Sequence, residues 1–66
     1  MPVKNRLKEI RHELYIDTQV EMAKLLETTQ AMYNRYECQA VQPNLETALR
    51  FAQILKIPVE QLFYLD

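Results

Sequence analysis

The sequence predicts an all-α fold, a compact five-helix domain, from three observations. Its 66 residues make one small domain, 1–66, with little room for a second. Apolar residues recur at three- and four-residue spacing along most of the chain. Residues 18–37, TQVEMAKLLETTQAMYNRYE, read as two short helices broken by a tight turn, and the other elements are organised around them.

Met1 to Lys4 is expected to be a frayed arm, since Pro2 disfavours helix there. Asn5 is a good N-cap for a first helix reaching Leu14, with Leu7, Ile10 and Leu14 as its apolar stripe. Tyr15-Ile16-Asp17 link it onward, and Ile16 plugs the core between the first two helices. Thr18 caps the second helix, with Glu21 placed to complete a capping box. Met22, Ala23, Leu25 and Leu26 form its buried face. Glu27-Thr28-Thr29 break the run, and Thr29 caps a third helix from Gln30 to Glu37.

In that third helix Tyr33 and Tyr36 share one face, leaving Gln30, Ala31, Asn34 and Arg35 mainly on the other. Amides and one arginine on a short outward helix suit a DNA major groove. Gln30 can pair with adenine, Arg35 with guanine, and Ala31 can touch a thymine methyl. Asn34 reaches a base edge or a phosphate. The plain alternative is the polar face of any surface helix.

After the neutral stretch 38–42, Pro43 precedes a fourth helix that Asn44 caps and that runs to Leu55. Its expected buried face is Leu45, Ala48, Leu49, Ala52 and Leu55. Lys56-Ile57-Pro58 turn the chain into a fifth helix, Val59 to Phe63. Val59, Leu62, Phe63, Tyr64 and Leu65 are more apolar surface than so small a domain can bury on one face. Exposed apolar clusters tend to be interfaces, so residues 57–66 are expected to form a homodimer contact. The alternative has Leu62 and Phe63 closing the monomer core.

The central stretch resembles the helix-turn-helix of the phage-repressor and Cro type, the Xre-like family of small bacterial regulators. Thr18-Gln19, Ala23, Leu25-Leu26, Thr28-Thr29-Gln30, Arg35-Tyr36-Glu37, and Pro43 with Leu45-Glu46 carry the resemblance. Asn5 to Arg11 look like the family's first helix, and residues 44–63 like its fourth and fifth. The resemblance implies a repressor-like DNA-binding domain, with the motif at the second and third helices. It places Gln19 on a DNA phosphate, Thr29 and Gln30 at the start of the reading helix, and Asn44 near a second phosphate. It pairs Arg11 with Glu37, against the alternative of a solvated Arg11. It further implies a two-fold dimer on a palindromic, double-stranded operator in a bacterial or phage cytoplasm.

Two departures from the family pattern matter. Glu27 stands where the family usually has glycine, at a turn that wants a left-handed backbone, and it adds negative charge near the DNA side. The stretch 38–42 lacks the family's glycine and basic residues, so phosphate contacts there fall to backbone amides or Gln39. The chain has no glycine at all.

The formal charge of −1 argues against a strong non-specific nucleic-acid binder, although Lys4, Arg6, Lys8 and Arg11 make the first helix basic. The single cysteine, Cys38, excludes an internal disulfide, and His12, the only histidine, lies on another element, so no metal site is expected. No cofactor or small-molecule ligand is implied. There is no catalytic triad, paired-carboxylate site or Gly-rich phosphate loop, so an enzyme is not expected. No stretch has the apolar length of a membrane span, and no signal peptide is visible. The leading expectation is a DNA-binding regulator, most simply a dimeric repressor. The rival is an antitoxin-like or anti-repressor interaction module on the same fold.

Overall fold

The computed structural model describes residues 2–66. Five helices are flanked by two short strands: β1 (Val3–Asn5), α1 (Leu7–Glu13), α2 (Gln19–Leu25), α3 (Gln30–Glu37), α4 (Leu45–Leu55), α5 (Val59–Leu62) and β2 (Phe63–Leu65). The fold is mostly helical, with one small two-stranded sheet added to the all-α expectation. In that sheet β1 and β2 run antiparallel, with Val3 opposite Leu65, Lys4 opposite Tyr64 and Asn5 opposite Phe63.

The expected N-terminal arm is therefore ordered from Val3, whereas Met1 lies outside the described residues. Pro2 still fits, because a proline at the start of a strand sacrifices no needed donor. Its carbonyl accepts from the Asp66 amide at 3.0 Å. The fifth helix ends at Leu62 and not Phe63, because the chain turns there into the strand that pairs with β1. Arg6 strengthens this corner by setting its guanidinium 4.7 Å from the centroid of the Tyr64 ring.

Asn5 is not the N-cap of α1. It sits in β1, almost fully buried, and its Oδ1 accepts the Leu7 amide at 3.1 Å while Nδ2 reaches across the molecule. That Nδ2 donates to the Tyr36 carbonyl and to Gln42 Oε1, both at 2.8 Å. Thr18, Thr29 and Asn44 do act as caps, accepting from the amides of Glu21, Met32 and Thr47 at 3.2, 3.2 and 2.8 Å.

The core is built from Leu7, Ile10, Met22, Ala23, Leu26, Tyr33, Tyr36, Phe51 and Leu62, with Ile16 and Phe63 packed against it. Four leucines expected inside lie at the surface: Leu14, Leu25, Leu45 and Leu49. On α4 the reason is helical phase. Ala48, Phe51, Ala52 and Leu55 recur at i, i+3, i+4 and i+7, and turning that stripe inward leaves Leu45 and Leu49 on its flank. Enclosing the Phe51 ring removes more apolar area from water than enclosing either leucine. The ring meets Tyr36 edge-on, with centroids 5.9 Å apart.

Every helix from α1 to α4 stops on a left-handed residue, and none of these residues is glycine: Tyr15, Glu27, Gln39 and Lys56 have φ of 58°, 59°, 64° and 58°. The first three close the same loop. Tyr15, Glu27 and Gln39 donate their amides to His12, Lys24 and Tyr36, and the next residues donate to Arg11, Ala23 and Arg35. That is the pattern of the Schellman helix end. A residue with a Cβ carries a steric cost there that glycine does not. Glu27→Gly is expected to raise stability by about 0.5–1 kcal/mol, net of the entropy glycine adds to the unfolded chain. The check is a thermal midpoint a few degrees higher at unchanged helix content.

Candidate nucleic-acid interface

Burial of Tyr33 and Tyr36 fixes which way α3 faces. With its back in the core, Gln30, Ala31, Asn34 and Arg35 are all exposed on the outer side. Buried Ala23 lets α2 and α3 approach, which brings Gln19, the first residue of α2, beside the outer face of α3. Gln19 Nε2 donates to Asn34 Oδ1 at 3.0 Å and to Glu37 Oε1 at 3.1 Å, and Gln30 Nε2 donates to Gln19 Oε1 at 2.9 Å. The amides of both helix starts and the middle of α3 therefore form one network.

Behind that network lies a buried ion pair. Arg11 Nε donates to Glu37 Oε2 at 2.7 Å, and Nη2 to Oε1 at 3.3 Å. Nη1 also donates to the carbonyls of Ile16 and Asp17, at 3.2 and 3.3 Å, in the link between α1 and α2. One guanidinium thus ties α1, the entry to α2 and the end of α3 together. Burial pushes the Glu37 carboxyl up, but the hydrogen bonds from Arg11 and Gln19 outweigh it and hold the group below its ordinary value. Tyr33 is enclosed next to this pair. Its hydroxyl has no hydrogen-bond partner within geometry, and burial, with the nearby carboxylate second, raises its pKa.

The remaining expected site residues lie around this face. Thr29 and Asn44 are exposed and use their side chains to cap α3 and α4. Gln39 is half-buried, and its carboxamide is committed to the edge of β1: Oε1 accepts the Asn5 amide at 3.1 Å and Nε2 donates to the Asn5 carbonyl at 2.9 Å. It substitutes for a third strand at that position. Gln42 Nε2 donates to Gln39 Oε1 at 2.9 Å and completes the cluster. Sequence reasoning missed Asn5 and Gln42 as organisers of the 38–42 stretch, because partners separated by more than thirty residues leave no periodic signal.

Of the residues expected at a dimer contact, Leu62 is fully buried within the monomer and Phe63 packs against its core. Leu62 is therefore unavailable to a second copy, because α5 needs it to close the core against α4. Val59 is half-buried, and Tyr64 and Leu65 are exposed, Leu65 by 65%.

A concavity of about 430 Å³ lies between α1 and α5 and is lined by Arg6, Glu9, Glu13 and Glu60 among others. Three carboxylates make it a poor place for a phosphate backbone. Among the described residues no group of three or more His, Cys, Asp or Glu could hold a metal ion. No helix there is long and apolar enough to cross a membrane.

No curated protein matches the chain. The helix-turn-helix family profile does match, over residues 7–62, from the first residue of α1 to the last of α5. That span takes in the paired helices α2 and α3, the buried Arg11–Glu37 pair and the outward amides of Gln19, Gln30 and Asn34. The chain belongs to the Xre/Cro-type helix-turn-helix family of DNA-binding regulators.

Proposed function

We propose that the chain is a sequence-specific transcriptional regulator, acting without catalysis as a dimeric repressor that reads the major groove with α3. The observation that carries this reading is the outer face of α3. Gln30, Ala31, Asn34 and Arg35 are exposed on a helix whose opposite face is locked in the core, and Gln19 braces them from the neighbouring helix. Gln30 and Arg35 pair with adenine and guanine edges, and Ala31 meets a thymine methyl. Gln19, Thr29 and Asn44 lie at the starts of α2, α3 and α4, where backbone amides and the helix dipole favour phosphates. Because the Gln39 side chain is occupied by Asn5, phosphate contacts from 38–42 fall to the backbone. The second copy binds through the C-terminal segment, with Tyr64 and Leu65 supplying its exposed apolar surface.

One observation favours the rival interaction module: Leu45 and Leu49, one turn apart on α4, are 73% and 49% exposed. Salt separates the readings, since retention on a DNA column falls steeply with salt only where phosphates are neutralised.

The direct experiment is selection from random duplexes at low salt, with Arg35→Ala run in parallel. An enriched inverted repeat is expected, since a two-fold dimer meets two half-sites. Arg35→Ala is expected to relax one base position in each half-site, by about 1–3 kcal/mol for a bidentate contact. No enrichment by either chain sinks the proposal.

A further inference from the structure

The amides on the outer face of α3 can offer either a donor or an acceptor, and the charged group that touches them, Glu37, has no such choice. Glu37 is an ionised carboxylate and can only accept. Its Oε1 already takes an N–H from Arg11 and faces Gln19 at 3.1 Å. Gln19 must therefore turn its NH₂ toward Glu37, since its carbonyl would meet the carboxylate as acceptor against acceptor. The second N–H of that group then points at Asn34, which must answer with Oδ1, and the contact is 3.0 Å. The Cys38 thiol, 3.6 Å from the same Oδ1, reinforces this orientation from the other side. Asn34 is left with Nδ2, a pure donor, as the free edge of an exposed side chain.

We propose that Glu37, acting through Gln19, is a positioning residue that makes Asn34 a donor-only reader, selecting a base with a major-groove acceptor. This inference rests on the DNA-reading proposal above. The bases that qualify are guanine, adenine at N7 and thymine at O4. Cytosine shows only its N4 donor there and is disfavoured on the contacted strand. A carboxylate that never touches DNA thus sets one letter of the site, with the ion pair to Arg11 keeping it charged and in place.

The test is the same duplex selection at low salt with four proteins: the wild-type chain, Asn34→Ala, Gln19→Met and Gln19→Glu. Asn34→Ala identifies the base position that Asn34 reads. At that position the wild-type chain is expected to disfavour cytosine by roughly two- to tenfold, the range of a single hydrogen bond. Gln19→Met keeps the length of the side chain but transmits no polarity, and is expected to flatten the preference. A carboxylate at position 19 has no N–H to give Asn34 and is repelled by Glu37, so Gln19→Glu is likewise expected to lose the preference against cytosine. The readout is base identity at one position, which a loss of stability or overall affinity does not change. Wild-type selection of cytosine there, or an unchanged preference in both Gln19 variants, overturns the inference while leaving DNA reading intact. So does the absence of any position relaxed by Asn34→Ala. If the wild-type chain enriches no site at all, the DNA-reading proposal falls and this inference falls with it.

Discussion

Arg11→Ala is expected to leave much of the protein unfolded at 25 °C. The substitution removes the partner of a buried carboxylate and two further hydrogen bonds, to the carbonyls of Ile16 and Asp17. Breaking a buried pair from one side costs about 3–5 kcal/mol, because the other charge stays enclosed. A domain of this size has a total stability of about 3–5 kcal/mol, so the loss is comparable to the whole. Urea denaturation of the wild-type and Arg11→Ala chains measures it. The double variant Arg11→Met with Glu37→Leu is expected to recover most of the loss, since no charge is then stranded. A single-variant cost below about 1 kcal/mol would mean that the pair is solvated in solution.

The same pair sets the response to acid. Glu37 has a lower pKa folded than unfolded, so the unfolded chain binds the proton first as pH falls. Its stabilising contribution is complete above the ordinary carboxylate range and is lost as pH drops through the depressed folded value. Arg11→Ala removes the main source of that depression, so urea denaturation at successive pH values is expected to show a smaller loss of stability within and below the carboxylate range than in the wild-type chain.

Phe51→Ala is expected to cost about 3–5 kcal/mol, the usual range for emptying a fully buried phenylalanine site. Leu45→Ser, six residues away on the same helix, is expected to change stability by less than about 0.5 kcal/mol, because Leu45 is mostly in water. The contrast inverts what apolar spacing suggests for α4, where Leu45 begins the expected buried stripe. Chemical denaturation of the two variants decides it, and a large cost at Leu45 would place that side chain against something the monomer does not provide.

The order of helices and the caps Thr18, Thr29 and Asn44 were legible in the sequence, because a helix start depends on side chains within three residues of it. The outward set on α3 was legible for a related reason. Two tyrosines three apart must share a side, and the polar residues between them take the other. The left-handed stop at Glu27 was implied by the resemblance, which puts a glycine at that turn, and the backbone keeps that conformation with a glutamate in place. Leu25, Leu45 and Leu49 were not placed correctly, because a helix wheel admits neighbouring phases of similar apolar content. Which phase is buried depends on the volume offered by partners far away in the chain, here the pocket where the Phe51 ring meets Tyr36.

By itself the sequence determined the local elements and their likeness to a helix-turn-helix reader, since both rest on residues close together along the chain. Tertiary structure alone decided that the two chain ends pair as strands, because a three-residue strand has no signal until its partner supplies the hydrogen bonds. It also assigned Gln39 to the edge of β1 and joined Glu37 to Asn34 through Gln19. Those links are amide hydrogen bonds between separate elements. A polar side chain carries no mark of its partner until folding brings both to within about 3 Å.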